Sequence, residues 1–224
     1  MKKFVDYIKK HKYIFLLIYW PLHFIWYSIS MTAYADSEVW MVSSPMDDMI
    51  PFCEWFIIPY VLWYAYIAAV ILHGLYRGKR EFLRAEFLVT GCMFFSVVFC
   101  SLIPNGIELS MRPDFALLGR DNWAIDLVKA IYAADTPARN VFPSMHTSVS
   151  VALVFAVWQS EGLKNKRGLK IAALILSFLI ILATVFIKQH SVLDVFGGIG
   201  VGLFITATVK ICENLYDKRN RTVE

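Results

Sequence analysis

No Gly/Ser/Pro-rich linker and no block of like charge divides the 224 residues, so the chain reads as one domain, 1–224. Charged side chains are scarce, at 18%, and the small net charge of +4 is not the signature of a nucleic-acid binder. The four cysteines, Cys53, Cys92, Cys100 and Cys212, show no metal-ligand spacing. They lie in or beside apolar runs and read as buried small hydrophobes. Gly197-Gly198-Ile199-Gly200 is no nucleotide loop, because it falls inside an apolar run. Small residues there let helices approach closely.

What is present is apolar sequence in long runs: 58% hydrophobic residues and a mean hydropathy of +0.55. The bilayer is the natural solvent for such a chain. Six spans are expected, near residues 13–32, 52–75, 87–104, 143–159, 170–187 and 192–211. The first is interrupted by Pro21 and His23, and the fourth is short for a bilayer that needs about 20 residues. Basic residues cluster before span one and in the second, fourth and last connections, 17 of the 22 in all. The positive-inside rule then puts both termini in the cytoplasm of a plasma-membrane protein. Ala33-Tyr34-Ala35 has the form of a signal-peptide cleavage site. The apolar stretch before it exceeds the roughly 7–15 residues of a signal core, which argues for a retained helix.

The five remaining basic residues, Arg112, Arg120, Lys129, Arg139 and Lys188, fall on the external side. Arg120 and Lys129 read as loop charges or partners of Asp114, Asp121, Asp126 or Asp135. The acids of the first external loop, Asp36, Glu38, Asp47 and Asp48, read as solvated, since their spacing fits no calcium loop. The aromatic, proline-bearing segment Ile50–Trp55 reads as an interfacial anchor. The second external loop, about 105–142, is long enough to be functional, and residues 128–132 suit a short helix within it.

Two histidines stand where loops meet apolar spans on that same side. Asp194 follows His190 by four residues, one helical turn, so its carboxylate can reach one imidazole nitrogen. That bond fixes the tautomer, leaves the other nitrogen as a nucleophile and stabilises positive charge on the ring. His146, if its helix end is a neighbour, can donate a proton to a leaving alkoxide and take one back from water. Arg112 offers a bidentate fork for phosphate. Pro143 suits a first helical turn, which would present the amides of Ser144, Met145 and His146 at a helix N-terminus, a ready anion site to which the Ser144 hydroxyl adds a donor. Lys188 adds charge beside the nucleophile. Asn140 and Arg139 either brace the loop or touch the phosphate. Such a set performs in-line phosphoryl transfer with no metal or cofactor.

These residues resemble the type-2 phosphatidic-acid phosphatase superfamily, integral-membrane relatives of vanadium haloperoxidases and bacterial acid phosphatases. Its first motif is lysine, six residues, then Arg-Pro; Arg112-Pro113 matches its end, with Asn105 at the lysine position. Its second, Pro-Ser-Gly-His, is matched by Pro143-Ser144-Met145-His146, with Met145 for glycine. Its third is Ser-Arg, five residues, His, three residues, Asp. His190 and Asp194 match, with Ala183-Thr184 in place of Ser-Arg. The departures, with Asp135–His146 and Lys188-Gln189-His190, look like a divergent branch of inositol-phosphoryl-ceramide-synthase-like and sphingomyelin-synthase-like proteins.

The resemblance implies an all-α integral membrane protein, a six-helix acid phosphatase/haloperoxidase-like bundle with its catalytic core at about 105–200. The expected function is a metal-independent lipid phosphate phosphatase using a phosphohistidine at His190. Asp194, His146, Arg112, Ser144, Lys188 and Asn140 would assist it on the extracytoplasmic face. Two alternatives stand beside it: a phosphotransferase using an alcohol acceptor, and a catalytically silent lipid-binding relative, which the missing lysine and arginine favour. A transporter is disfavoured, since no charged pair lies near a midplane and no inverted repeat is seen. The expected partners are a lipid phosphate and membrane lipids, with no nucleic acid and the oligomeric state left open.

Overall fold

Helices with lipid-facing apolar flanks make up the molecule. The computed structural model describes residues 11–221; Lys2, Lys3, Lys9 and Lys10 lie outside them. A 3-10 segment, Lys12–Ile18, runs into α1 (Tyr19–Ala33), and a two-residue strand β1 (Trp40–Met41) follows. The 3-10 turn Glu54–Phe56 leads into α2 (Ile57–Arg77), then come α3 (Lys79–Leu102) and strand β2 (Asn105–Gly106). The rest is helical: α4 (Trp123–Ala134), α5 (Met145–Gln159), α6 (Arg167–Phe186) and α7 (Val192–Arg221).

Among the described residues, five stretches are long and apolar enough to cross a membrane: Lys12–Ala33, Glu54–Arg77, Lys79–Leu102, Arg167–Phe186 and Val192–Arg221. Their outer faces expose Ile25, Ile29, Leu72, Phe178, Phe196 and Phe204, as helices solvated by lipid tails do. The fourth expected span, α5, has only 15 residues. It rises about 22 Å, less than the hydrocarbon core of about 30 Å. Its position explains the short length. α5 packs against α3, α6 and α7, with Val149, Ala152 and Leu153 fully buried. Backbone at membrane depth is tolerated where protein satisfies it, and Asn105 does this just before α5. Its Oδ1 accepts from the amides of Val141 and Phe142 at 3.0 and 2.8 Å, and its Nδ2 donates to the Phe142 carbonyl at 3.1 Å.

Contact between α5 and α7 depends on two glycines one turn apart. A Cβ on Gly198 would meet the Ser144 carbonyl at 2.7 Å, and one on Gly202 the Ser148 carbonyl at 2.7 Å. With no hydrophobic drive between helices in lipid, such close backbone approach is what holds them together. Gly200 faces open space, so the packing pair is Gly198 with Gly202.

Both α3 and α7 outrun their apolar segments. α3 begins at Lys79 and α7 ends at Arg221, and their polar ends interlock through Arg80–Asp217 (2.6 Å) and Arg84–Glu213 (2.8 Å). Glu86 is therefore inside a helix and buried, with Trp20 Nε1 donating to it at 3.0 Å. The basic helix ends around Arg77, Arg84 and Arg167 gather at this end of the bundle. An apolar cavity of about 320 Å³ also lies here, bordered by His73, Glu81 and Arg84 and by none of the candidate site residues.

The opposite end is closed by the two long loops. β1 pairs with β2 in parallel, Trp40 opposite Asn105. The short helix expected near 128–132 is α4, capped by Asn122 Oδ1 accepting from the amides of Ala124 and Ile125. It packs Val128 and Tyr132 against Ile57 and Tyr60.

Candidate active site

The third motif folds locally as its spacing requires. His190 Nδ1 lies 3.1 Å from Asp194 Oδ2, which also accepts from the Ser191 amide at 2.9 Å. Asp194 is fully buried and its Oδ1 has no hydrogen-bond partner among the described residues. With Nδ1 engaged, Nε2 of His190 is the nitrogen left for chemistry.

α5 brings the second histidine to the same place. The Ser144 amide donates to the Asp194 carbonyl at 3.2 Å, tying the start of α5 to the first turn of α7. The two imidazole rings lie 6.1 Å apart, centre to centre. Tyr60 stacks on His146 at 4.3 Å and Trp63 packs at 4.2 Å, so aromatic walls fix that ring. Its Nε2 is buried without a hydrogen-bond partner among the described residues.

Both histidines border a cavity of about 50 Å³, with Tyr27, Tyr60, Asp135, Arg139, Asn140 and Gln189 among its other walls. Arg112 reaches this wall from behind. Its guanidinium lies 4.2 Å over the Tyr132 ring, and Nη2 donates to Asp135 Oδ2 at 3.1 Å and to Gln189 Oε1 at 3.2 Å. Arg112 Nε and Gln189 Nε2 are buried N–H groups without acceptors among the described residues. Buried orphan donors are costly and call for an explanation. The first turn of α5, at Met145 and His146, borders the same cavity as Gln189, and such a terminus favours negative charge.

Other expected ligands do different work. Lys188 points away from the cavity: Nζ donates to the carbonyls of Asp47 and Ile50, at 2.6 and 2.5 Å. Burial lowers its pKa from the ordinary lysine value. Although only two residues from His190 in sequence, Lys188 does not bring its charge to the cavity; its backbone is left-handed there (φ 53°). Ser144 is fully buried, and its hydroxyl caps α5 by accepting from the Thr147 amide at 3.3 Å. Pro143 consequently precedes the helix and is not its first residue. Asn140 borders the cavity, but its amide braces α1, donating to the Tyr27 carbonyl at 3.3 Å and accepting from Ser30 Oγ at 3.2 Å. Arg139 also borders it and holds the Tyr34 and Ala35 carbonyls.

Asp47, read as solvated, is buried. Its carboxylate accepts from Ser191 Oγ at 2.7 Å and the Val192 amide at 2.8 Å, capping α7 from the first loop. An acid at a helix N-terminus favours the helix through both hydrogen bond and dipole. Arg120 pairs with Glu54 through two 2.8 Å bonds, not with the loop aspartates, whereas Lys129 does pair with Asp121 and Asp126. The substituted motif positions are filled structurally: Asn105 supports the chain before α5, and the Thr184 carbonyl accepts from the amides of Gln189 and His190.

Four cavity residues escaped the sequence reading: Tyr27, Tyr60, Asp135 and Gln189. The tyrosines lay unnoticed in apolar runs, Gln189 stood in the quoted segment with no role, and Asp135 was read as an ion partner for Arg120 or Lys129. The 23-residue separation of Arg112 and Asp135 leaves no local periodicity to reveal the pair.

No curated protein and no solved structure matches the chain. A family model does, that of the PAP2 superfamily, over residues 85–217. Arg112, His146, His190 and Asp194 all fall within that span, which is more than half of the chain, and the protein belongs to the PAP2 superfamily.

Proposed function

We propose that the protein transfers a phosphoryl group from a membrane lipid phosphate through a phosphohistidine at His190. The observation that carries this reading is the pairing of His190 with Asp194 across a cavity from His146, beside buried N–H donors with no acceptor. His190 Nε2 attacks phosphorus, and the bond to the lipid oxygen breaks. His146 gives its proton to the departing alkoxide. His146 then takes a proton from water, whose oxygen displaces His190 and releases phosphate. Asp194 stabilises the positive charge on the phosphorylated ring. Arg112 and Gln189 hold equatorial oxygens in the site. The small cavity suits a headgroup, while the lipid chains stay in the bilayer.

Purified protein in detergent is expected to release phosphate from at least one of a panel of lipid phosphates, with EDTA leaving the rate unchanged. No release from any member sinks the phosphatase reading. A second reading, transfer to an alcohol acceptor, is supported by the aromatic packing of Tyr60 and Trp63 on His146, which limits water there. It also fits the likeness of residues 135–146 to the synthase-like branch. Its mark is phosphate transfer only when a lipid or polyol hydroxyl is supplied.

All six apolar helices, α5 included, cross the membrane in this proposal, with the basic ends cytoplasmic and the cavity outside. Cysteines introduced by Asp121→Cys and Asn165→Cys, both at exposed positions, report on this. An impermeant maleimide added to intact cells labels the first and spares the second; the reverse pattern inverts the topology.

A further inference from the structure

The proposed chemistry gives Asp135 no part, yet its carboxylate borders the cavity and engages the guanidinium proposed to hold the phosphate. Asp135 caps the C-terminus of α4, shares the cavity with both histidines, and accepts from Nη2 of Arg112. The Asp135 carbonyl accepts from that nitrogen too, at 3.1 Å. Two unprotonated oxyanions cannot share such a small space; the contact becomes favourable when one proton lies between them.

We propose that Asp135 is a specificity-determining residue that couples phosphate binding to the uptake of one proton, so that the cavity takes an anion only together with a proton to share. This rests on the reading of the cavity as a phosphate site. The charged and titratable groups facing Asp135 come from several elements around the cavity. Arg112 and Arg139 stay cationic. Tyr27, Tyr60 and Tyr64 are neutral phenols at this pH. The imidazoles of His146 and His190 border the same cavity, so the proton count is read as the difference between wild type and Asp135→Asn. Burial pushes the Asp135 carboxyl up to about 6 against the opposing pull of Arg112 and His190. An incoming anion moves it further in the same direction. Affinity is therefore greatest below about 6 and falls as pH rises, by up to about tenfold per pH unit for one coupled proton.

Inorganic sulfate is the direct probe, because it stays doubly charged throughout this range. Titration calorimetry of the purified full chain in detergent, near pH 7 in buffers of different ionisation heat, counts protons taken up per sulfate bound. Wild type is expected to take up about one more proton than Asp135→Asn. Asp135→Glu, which keeps a carboxyl, is expected to restore the uptake. Asn preserves the shape of Asp, and an unchanged elution profile confirms folding. For a turned-over lipid phosphate, KM of wild type rises with pH more steeply than that of Asp135→Asn, while the two kcat profiles keep the same shape. Equal proton uptake in wild type and Asp135→Asn overturns the inference and leaves the catalytic reading intact. Proton-coupled sulfate binding in a protein that turns over no lipid phosphate retires the catalytic reading and keeps the inference. Failure of either protein to bind sulfate overturns the inference with the phosphate site.

Discussion

His190→Ala is expected to release no phosphate above background from any lipid phosphate that the wild-type protein hydrolyses, a loss of at least about 10⁴-fold in kcat. The size follows from the route. A residue that merely orients substrate leaves the chemical path intact, whereas loss of a covalent nucleophile removes the path itself. Orientation by the remaining donors gives only residual rate. The substitution leaves the Asp194 carboxylate with the Ser191 amide as its hydrogen-bond partner, so a folding control is needed. Sulfate binding by the variant supplies it, since Arg112 and Gln189 are untouched. A rate within tenfold of wild type in protein that still binds sulfate would sink the phosphohistidine route. A trapped wild-type phosphoenzyme, with phosphate bound to nitrogen and absent from His190→Ala, is the positive counterpart.

The second large effect is that of Asp194→Asn, for which kcat falls by about 10²–10⁴-fold with KM changed less than about threefold. Asp194 touches neither the cavity nor Arg112; it acts through the 3.1 Å bond to His190 Nδ1. In the proposed mechanism the carboxylate accepts from the Nδ1–H, holds Nε2 unprotonated, and stabilises the ring once phosphorus is attached. An amide keeps the shape and loses the charge. If its NH2 faces the ring, the tautomer reverses and Nε2 carries the proton. Binding of phosphate is left to other groups, which separates kcat from KM. A turnover number within threefold of wild type would refute this role. A matching rise in KM would instead show that the buried carboxylate supports the shape of the whole site.

Sequence periodicity was enough for the helices because each is a local property. Runs of apolar residues such as Ile171–Ile187 name a membrane helix without reference to any other part of the chain, and an i,i+4 step puts His190 beside Asp194. The basic clusters of connections two and four mark one end of the bundle in the same way. The fourth span, α5, shows the limit. Its 15 residues fall short of a full span, and its burial among α3, α6 and α7 is joined by support from Asn105, which its sequence position marked only as a replaced lysine.

By itself, then, the sequence determined the membrane class, the helices, the paired histidines and the carboxylate on His190, all encoded by composition and by spacings of one helical turn. Tertiary structure alone decided the company these groups keep. Lys188, two residues before His190 in sequence, turns its ammonium to the loop carbonyls of Asp47 and Ile50. Asp47 caps a helix whose sequence partner lies 144 residues away, and Asp135 occupies Arg112. A charged side chain near the membrane goes to whichever buried donors or acceptors the packed helices leave unsatisfied. That demand is set by the three-dimensional meeting of distant segments, which no local pattern records.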